Sequence, residues 1–257
     1  MQANLKKLSF IRIPGVPLVE PGANLAGLIA AALRASVEIP AAGDVLAVAQ
    51  KIVSKAEGRI VRLATVEPSA RAREIATQAN KDPRVVELIL RESRAVIRVS
   101  PGVIITEHNT GVILANAGID RSNLQGSDDA ALLLPEDPDA SAARLRNHLQ
   151  QEFGVRLGLI VTDSIGRPWR LGTVGLGIGC AGVLALNDLR GQADLFGRQL
   201  QVSEVAVADS LAAAAVLLMG EAAEGTPLVL IRGAGAGDDR GQTARAALRP
   251  ADEDLFR

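Results

Sequence analysis

The chain has 257 residues, enough for one large domain or two small lobes, and its formal net charge of −1 supplies no field for non-specific binding to DNA or anionic lipid. Its apolar fraction of 48% comes from Ala, Val, Leu and Ile. Aromatic residues are only 2%, which excludes a stacking platform for single-stranded nucleic acid. The polar N-terminus fits no signal peptide, and no apolar run reaches the roughly 20 residues of a spanning helix, so a cytoplasmic protein with neither nucleic-acid nor membrane partners is expected.

Strand-like and helix-like segments alternate, which predicts a mixed α/β fold. Ser9–Ile13 reads as a short strand closed by Pro14-Gly15. Residues 24–36 carry Leu25, Leu28, Ile29, Ala32 and Leu33 on one helical face. Residues 44–54 read as one strand and residues 60–63 as a shorter one. Two helices follow, the second opened by Asp82-Pro83, a cap followed by proline at the first helical position. Residues 96–99, 103–106 and 112–115 are strand candidates. Residues 139–153 predict a helix stopped by Gly154, and residues 155–162 a buried strand. Residues 172–182 read as a close-packed turn or bulge. Residues 201–219 predict a helix stopped by Gly220, and residues 227–231 a strand. From 234 to 257 the composition suggests a mobile tail on a single domain, itself divisible into two lobes.

Four places offer chemistry. Asp163 and Ser164 follow the strand expected to end at Thr162, where open α/β sheets hold ligands. They are hard oxygen donors for Mg²⁺ or Mn²⁺, or the ordinary residues of a turn. Asp120 follows another strand and is either a metal ligand or a cap. Glu221 lies just past a helix end, where a carboxylate gains nothing from the helix dipole; a cation or plain solvent accounts for it. Lys51, Lys55 and Arg59 cluster after an early strand, as phosphate-binding cations or as a solvated strand end.

Other motifs are absent or weak. Cys180 has no disulfide partner, and His108 and His148 lie far apart with no zinc spacing. Gly177–Gly182 fits G-x-G-x-x-G, the one feature favouring an NAD-dependent oxidoreductase, but it lacks a clear strand before it and an unbroken helix after it. No Walker pattern occurs, so neither a P-loop nor a Rossmann fold is expected.

Five segments in register resemble one family: Gly15-Val16-Pro17-Leu18-Val19, residues 52–59, residues 115–123, residues 162–170 and Leu218-Met219-Gly220-Glu221. Each is weak singly; in one order, from about residue 15 to 233, they are similar to the coenzyme F420:L-glutamate ligases. The resemblance implies a family-specific mixed α/β fold, an intertwined homodimer and a ligase that joins L-glutamate to the F420 precursor. It implies GTP as co-substrate, an acyl phosphate, GDP and phosphate as products, and possible extension of a γ-linked glutamate tail. By the family's pattern Asp120 and Asp163 bind one divalent ion, Mg²⁺ or Mn²⁺, and Ser164 and Glu221 a second. A potassium ion is expected without assigned ligands. Val16, Pro17, Leu18, Val19, Gln50, Lys51, Lys55, Asn123, Met219, Gly220, Glu221, Ala222, Ala223, Glu224, Gly225 and Thr226 would line the GTP site. The chain departs from some members at Gln50-Lys51, where they carry two small hydroxyl residues. The rival to an enzyme is a binding protein that keeps the site without turnover. Three carboxylates around a triphosphate exceed what storage needs.

Overall fold

Aliphatic runs form the centre of this fold, because strands buried on both faces tolerate no polar alternation. The computed structural model describes residues 7–122, 129–237 and 239–255. In chain order the first half holds β1 (Ser9–Arg12), α1 (Leu25–Ala35), β2 (Val45–Ala49), α2 (Gln50–Ala56), β3 (Ile60–Arg62), α3 (Ala70–Ala79), α4 (Pro83–Arg91), β4 (Ser93–Ser100), β5 (Val103–His108) and β6 (Ile113–Ala115). Then come β7 (Ala130–Leu132), α5 (Pro138–Phe153), β8 (Gly158–Arg167), β9 (Arg170–Ala181), β10 (Leu186–Asp188), β11 (Glu204–Ala206), α6 (Val207–Met219) and β12 (Leu228–Arg232).

The main sheet has the order β1-β12-β2-β8-β9. Only β2 and β8 pair in parallel; the other neighbours are antiparallel. Because side chains alternate across a strand, each central strand feeds two cores. Leu46, Val48, Leu159, Val161, Leu228 and Leu230 pack with α1 and α5, while Val45, Ala47, Ile160, Val229 and Ile231 pack beneath α6. Each fully buried Val, Leu or Ile among them contributes about 1.5–3 kcal/mol. A third core gathers Leu63, Ile75, Val86, Ile89, Ile104 and Leu133 around α3, α4 and β5. The result is the expected mixed α/β architecture, with no helix among the described residues long and apolar enough to cross a membrane.

Three local readings change. The run 44–54 is not one strand: it turns helical at Gln50, where Ser54 Oγ donates to Gln50 Oε1 one turn away at 2.9 Å. Apolar Ile52 and Val53 carried the strand-like composition across that boundary and hid it. The helix expected from 201 starts only at Val207, because Glu204–Ala206 pair with β10. The largest change is residues 172–182, which belong to a long hairpin strand, β9, paired with β8.

Glycine disguised that strand, since its β-propensity is low. The packing demands it. A Cβ on Gly175 would stand 2.5 Å from the Ala212 carbonyl of α6, and one on Gly179 2.3 Å from the Pro138 carbonyl carbon of α5. Val161 pairs with Gly179 and Thr162 with Gly177, so Ile178 bulges between them. Gly177 and Gly179 therefore admit helices closely against a sheet and form no strand-to-helix phosphate turn. The segment read as a tail is hydrogen-bonded to the body: Ala236 N donates to Gly43 O at 2.9 Å, and Ala244 N to Asp139 Oδ1 at 2.9 Å.

Candidate functional site

The parallel register of β2 and β8 sets Ala49 beside Thr162. Consequently the start of α2 emerges at the carboxyl end of β2, where sheets of this kind hold ligands, beside the β8 residues that follow Thr162. The sequence reading placed Asp163 and Ser164 past the strand; they lie within it, because β8 continues through them into the hairpin with β9.

A cavity of about 550 Å³ opens there. Its walls are residues 16–19, the α2 side chains Gln50, Lys51 and Lys55, then Thr162, Asp163 and Ser164, and the loop 219–227. Of the residues singled out in the sequence, Asp120 stands beside this wall, tied to it by Lys51, and Asn123 lies outside the described residues. Gly220 ends α6 with φ 79°, and Glu224 folds back beneath it, accepting the Ala222 amide at 2.8 Å. Thr226 accepts a hydrogen bond from Arg12 Nη2 at 2.8 Å.

The charges interlock. Lys51 Nζ lies 2.5 Å from Asp120 Oδ2 and donates to Ser122 Oγ at 2.9 Å. Ser122 in turn gives its amide to Asp120 Oδ1 at 2.7 Å and its hydroxyl to Oδ2 at 3.1 Å. Burial works to raise the Asp120 carboxyl, but the hydrogen bonds from Lys51 and Ser122 outweigh it and hold the group below its ordinary range. Asp163 goes the other way. Burial, with smaller help from the Asp120 and Glu221 charges, pushes it up to about 7 against the opposing Ser164 amide and Lys51 ammonium. Lys55 is lowered by burial and by Lys51, partly offset by Asp120. Ser164 Oγ donates to Glu221 Oε1 at 2.5 Å.

Asp120, Asp163 and Glu221 therefore face one region and do not point to separate surfaces. Among the described residues no group of three or more His, Cys, Asp or Glu side chains is drawn together tightly enough to hold a metal by itself. Ser164 and Glu221 touch through their hydrogen bond, and Asp120 lies near enough for its charge to act on Asp163. Such sparse carboxylate and hydroxyl sets suit Mg²⁺ or Mn²⁺, which keep waters and take further oxygens from phosphates. An unbalanced half-buried carboxyl at Asp163 is what a cation would neutralise.

Other candidates fall elsewhere. Arg59 does not join the lysines: it bridges Glu92 at 2.6 Å and Glu136 at 3.1 Å and donates to Leu134 O. His108 is buried with Nδ1 accepting the Thr110 amide, and exposed His148 lies on α5. A tight cavity of about 50 Å³ is lined by Asp139 and Asp209, but backbone amides of Cys180, Ala244 and Gly177 already occupy these carboxylates. Sequence reasoning missed Thr162 in the wall of the main cavity and Arg12 behind Thr226, since neither stands out by type. Ser122 was visible beside Asp120, and only the fold shows that it holds Asp120 and Lys51 together.

Comparison with known proteins gives a consistent result. The model of a family described as F420-0:Gamma-glutamyl ligase matches residues 15–233, a span that contains every residue of the cavity. A Coenzyme F420:L-glutamate ligase of Methanopyrus kandleri is 48% identical over 256 residues, covering 97% of this chain and 99% of that protein. One from Methanothermobacter thermautotrophicus is 45% identical over 251 residues, with 97% and 99% covered. One from Methanocaldococcus jannaschii is 44% identical over 215 residues, with 84% and 85% covered.

Proposed function

Because this chain belongs to the F420-0:gamma-glutamyl ligase family, we propose that it joins L-glutamate to the carboxylate of the coenzyme F420 precursor at the expense of GTP. The observation that carries the reading is one cavity in which two lysines, a half-buried carboxyl and a glycine-bounded loop converge from three separate stretches of chain. Its volume of about 550 Å³ suits a nucleotide-sized ligand.

A free carboxylate does not condense with an amine in water, because its oxygen is a poor leaving group. In the proposed reaction a precursor carboxylate oxygen attacks the γ-phosphorus and GDP departs. The glutamate amino group then attacks the acyl carbon of the resulting acyl phosphate, loses a proton, and phosphate departs with the acyl oxygen. Repetition on the product would extend a γ-linked tail. The chain's task is to bring anionic partners together and neutralise them. Lys55 and Lys51 supply fixed positive charge for the phosphates. The loop 219–226 closes one side of the ligand, anchored where Arg12 holds Thr226. Residues 16–19 offer an apolar edge for the base, with Val19 buried and Leu18 open to the ligand side.

Asp120 and Asp163 would hold one divalent ion, and Ser164 and Glu221 a second. When bound, these ions supply charge neutralisation on the phosphate oxygens. A potassium ion and a homodimer belong to the same reading. For the dimer the support is exposed apolar surface at two hairpin tips, Trp169 and Leu171 on one and Leu195 and Phe196 on the other. The test is one incubation of precursor, glutamate, GTP and Mg²⁺ or Mn²⁺, read by mass spectrometry. Added glutamate masses with matching GDP are expected. Product without GTP consumption, or none at all with either metal, overturns the proposal.

A further inference from the structure

The Asp120 carboxylate is already saturated on one side. An ionised carboxylate offers about four lone-pair positions. Ser122 N takes one on Oδ1, while Ser122 Oγ and Lys51 Nζ take both on Oδ2. The Lys51 ammonium, 2.5 Å from Oδ2, occupies space and charge that a divalent ion would need there. Two cations in contact with one oxygen repel, so an ion reaches Oδ2 only if Lys51 leaves.

We propose that Lys51 is a tethered competitor for the divalent ion at Asp120, and that it makes metal binding depend on the triphosphate. The proposal rests on the reading of Asp120 and Asp163 as cation ligands. Its second support is the neighbourhood into which Lys51 would swing. Lys51 and Lys55 are one helical turn apart on α2, both facing the cavity. Without an anion in the cavity, a released Lys51 moves toward a second, half-buried ammonium and away from its closest carboxylate. With a triphosphate present both lysines are matched by phosphate oxygens, Asp120 is uncovered, and the ion fills its place. Metal and nucleotide then promote one another's binding by the same factor, as linkage requires.

The experiment measures Mn²⁺ binding by the paramagnetic resonance signal of free Mn²⁺, using the full chain with and without a non-hydrolysable GTP analogue. Without nucleotide, Lys51→Gln and Lys51→Met should each bind Mn²⁺ about fivefold to tenfold more tightly than the parent, the scale of losing one half-exposed ion pair. Lys51→Arg keeps the charge and should match the parent. With the analogue the charge-free variants should lose their advantage. Parent-like or weaker Mn²⁺ binding in both charge-free variants overturns the proposal. Asp163→Asn separates the two levels. If it loses Mn²⁺ while Lys51→Gln behaves as the parent, only the competitor role fails. If it titrates like the parent, the cation reading fails and the competitor role with it.

Discussion

Replacing Asp163 by asparagine should stabilise this protein in alkaline solution while abolishing ligation. An unfolded aspartate titrates at about 3.9, and burial pushes the folded Asp163 up to about 7. Below about pH 4 both states hold the proton and the residue is neutral in its effect on stability. Between about pH 4 and 7 the folded chain keeps a proton that the unfolded chain has released, so stability falls as pH rises through that window. At about 1.4 kcal/mol per pH unit the full penalty would approach 4 kcal/mol. The carboxyl is only half-buried, at the wall of an open cavity where solvent screens it, and about 1–2 kcal/mol is the expected cost at pH 8. Asparagine has the same shape and no charge, so it escapes the penalty. The assay is urea unfolding of parent and variant in chelator, at pH 5 and pH 8, with equal m-values as the check on two-state behaviour. The variant's advantage should grow between the two pH values. A difference that is the same at both, or a variant weaker at pH 8, would refute the argument that burial of a charge dominates this site.

Lys55→Met should weaken binding of a GTP analogue by about tenfold, the scale of one charge-assisted contact, measured by calorimetry; an unchanged Kd removes Lys55 from the phosphate site. Gly179→Ala should cost about 3 kcal/mol in urea unfolding, because the new methyl meets backbone of Pro138; a loss below about 1 kcal/mol would mean that α5 shifts freely. Cys180 is buried, and burial with nearby Asp139 pushes its thiol up to about 12, so at pH 8 a disulfide reagent should react only after denaturant is added. Fast native-state labelling would contradict that packing.

Much of the α/β frame was legible because aliphatic runs and end signals agree. Asp82-Pro83 opens α4 with Asp82 accepting the Arg84 amide, and Gly154 ends α5 at φ 67°. What escaped was set by partners distant in sequence. β9 is rich in glycine because helices press on it, and glycine alone reads as a turn. β7, β10 and β11 are three residues each and exist only by pairing. In the site, Lys51, Lys55 and Glu221 were visible by type and position, while residues 16–19, Gln50 and the rest of 219–226 were named from resemblance; their shared cavity depends on the Ala49–Thr162 register that no local pattern displays. The Lys51–Asp120 ion pair was equally invisible, since its members lie in segments joined only by the fold.

The position of β12 has a consequence for how this chain is made. It wedges between β1 and β2, strands from the opposite end of the polypeptide. At typical synthesis rates the ribosome needs roughly 10–40 s to travel from Ala49 to Leu228. Until then, β1 has no neighbour and the first-made flank of β2 keeps its amides and carbonyls bare. Nascent material of this protein should therefore lean on holdase chaperones, and truncations that stop short of Leu228 should collect in inclusion bodies.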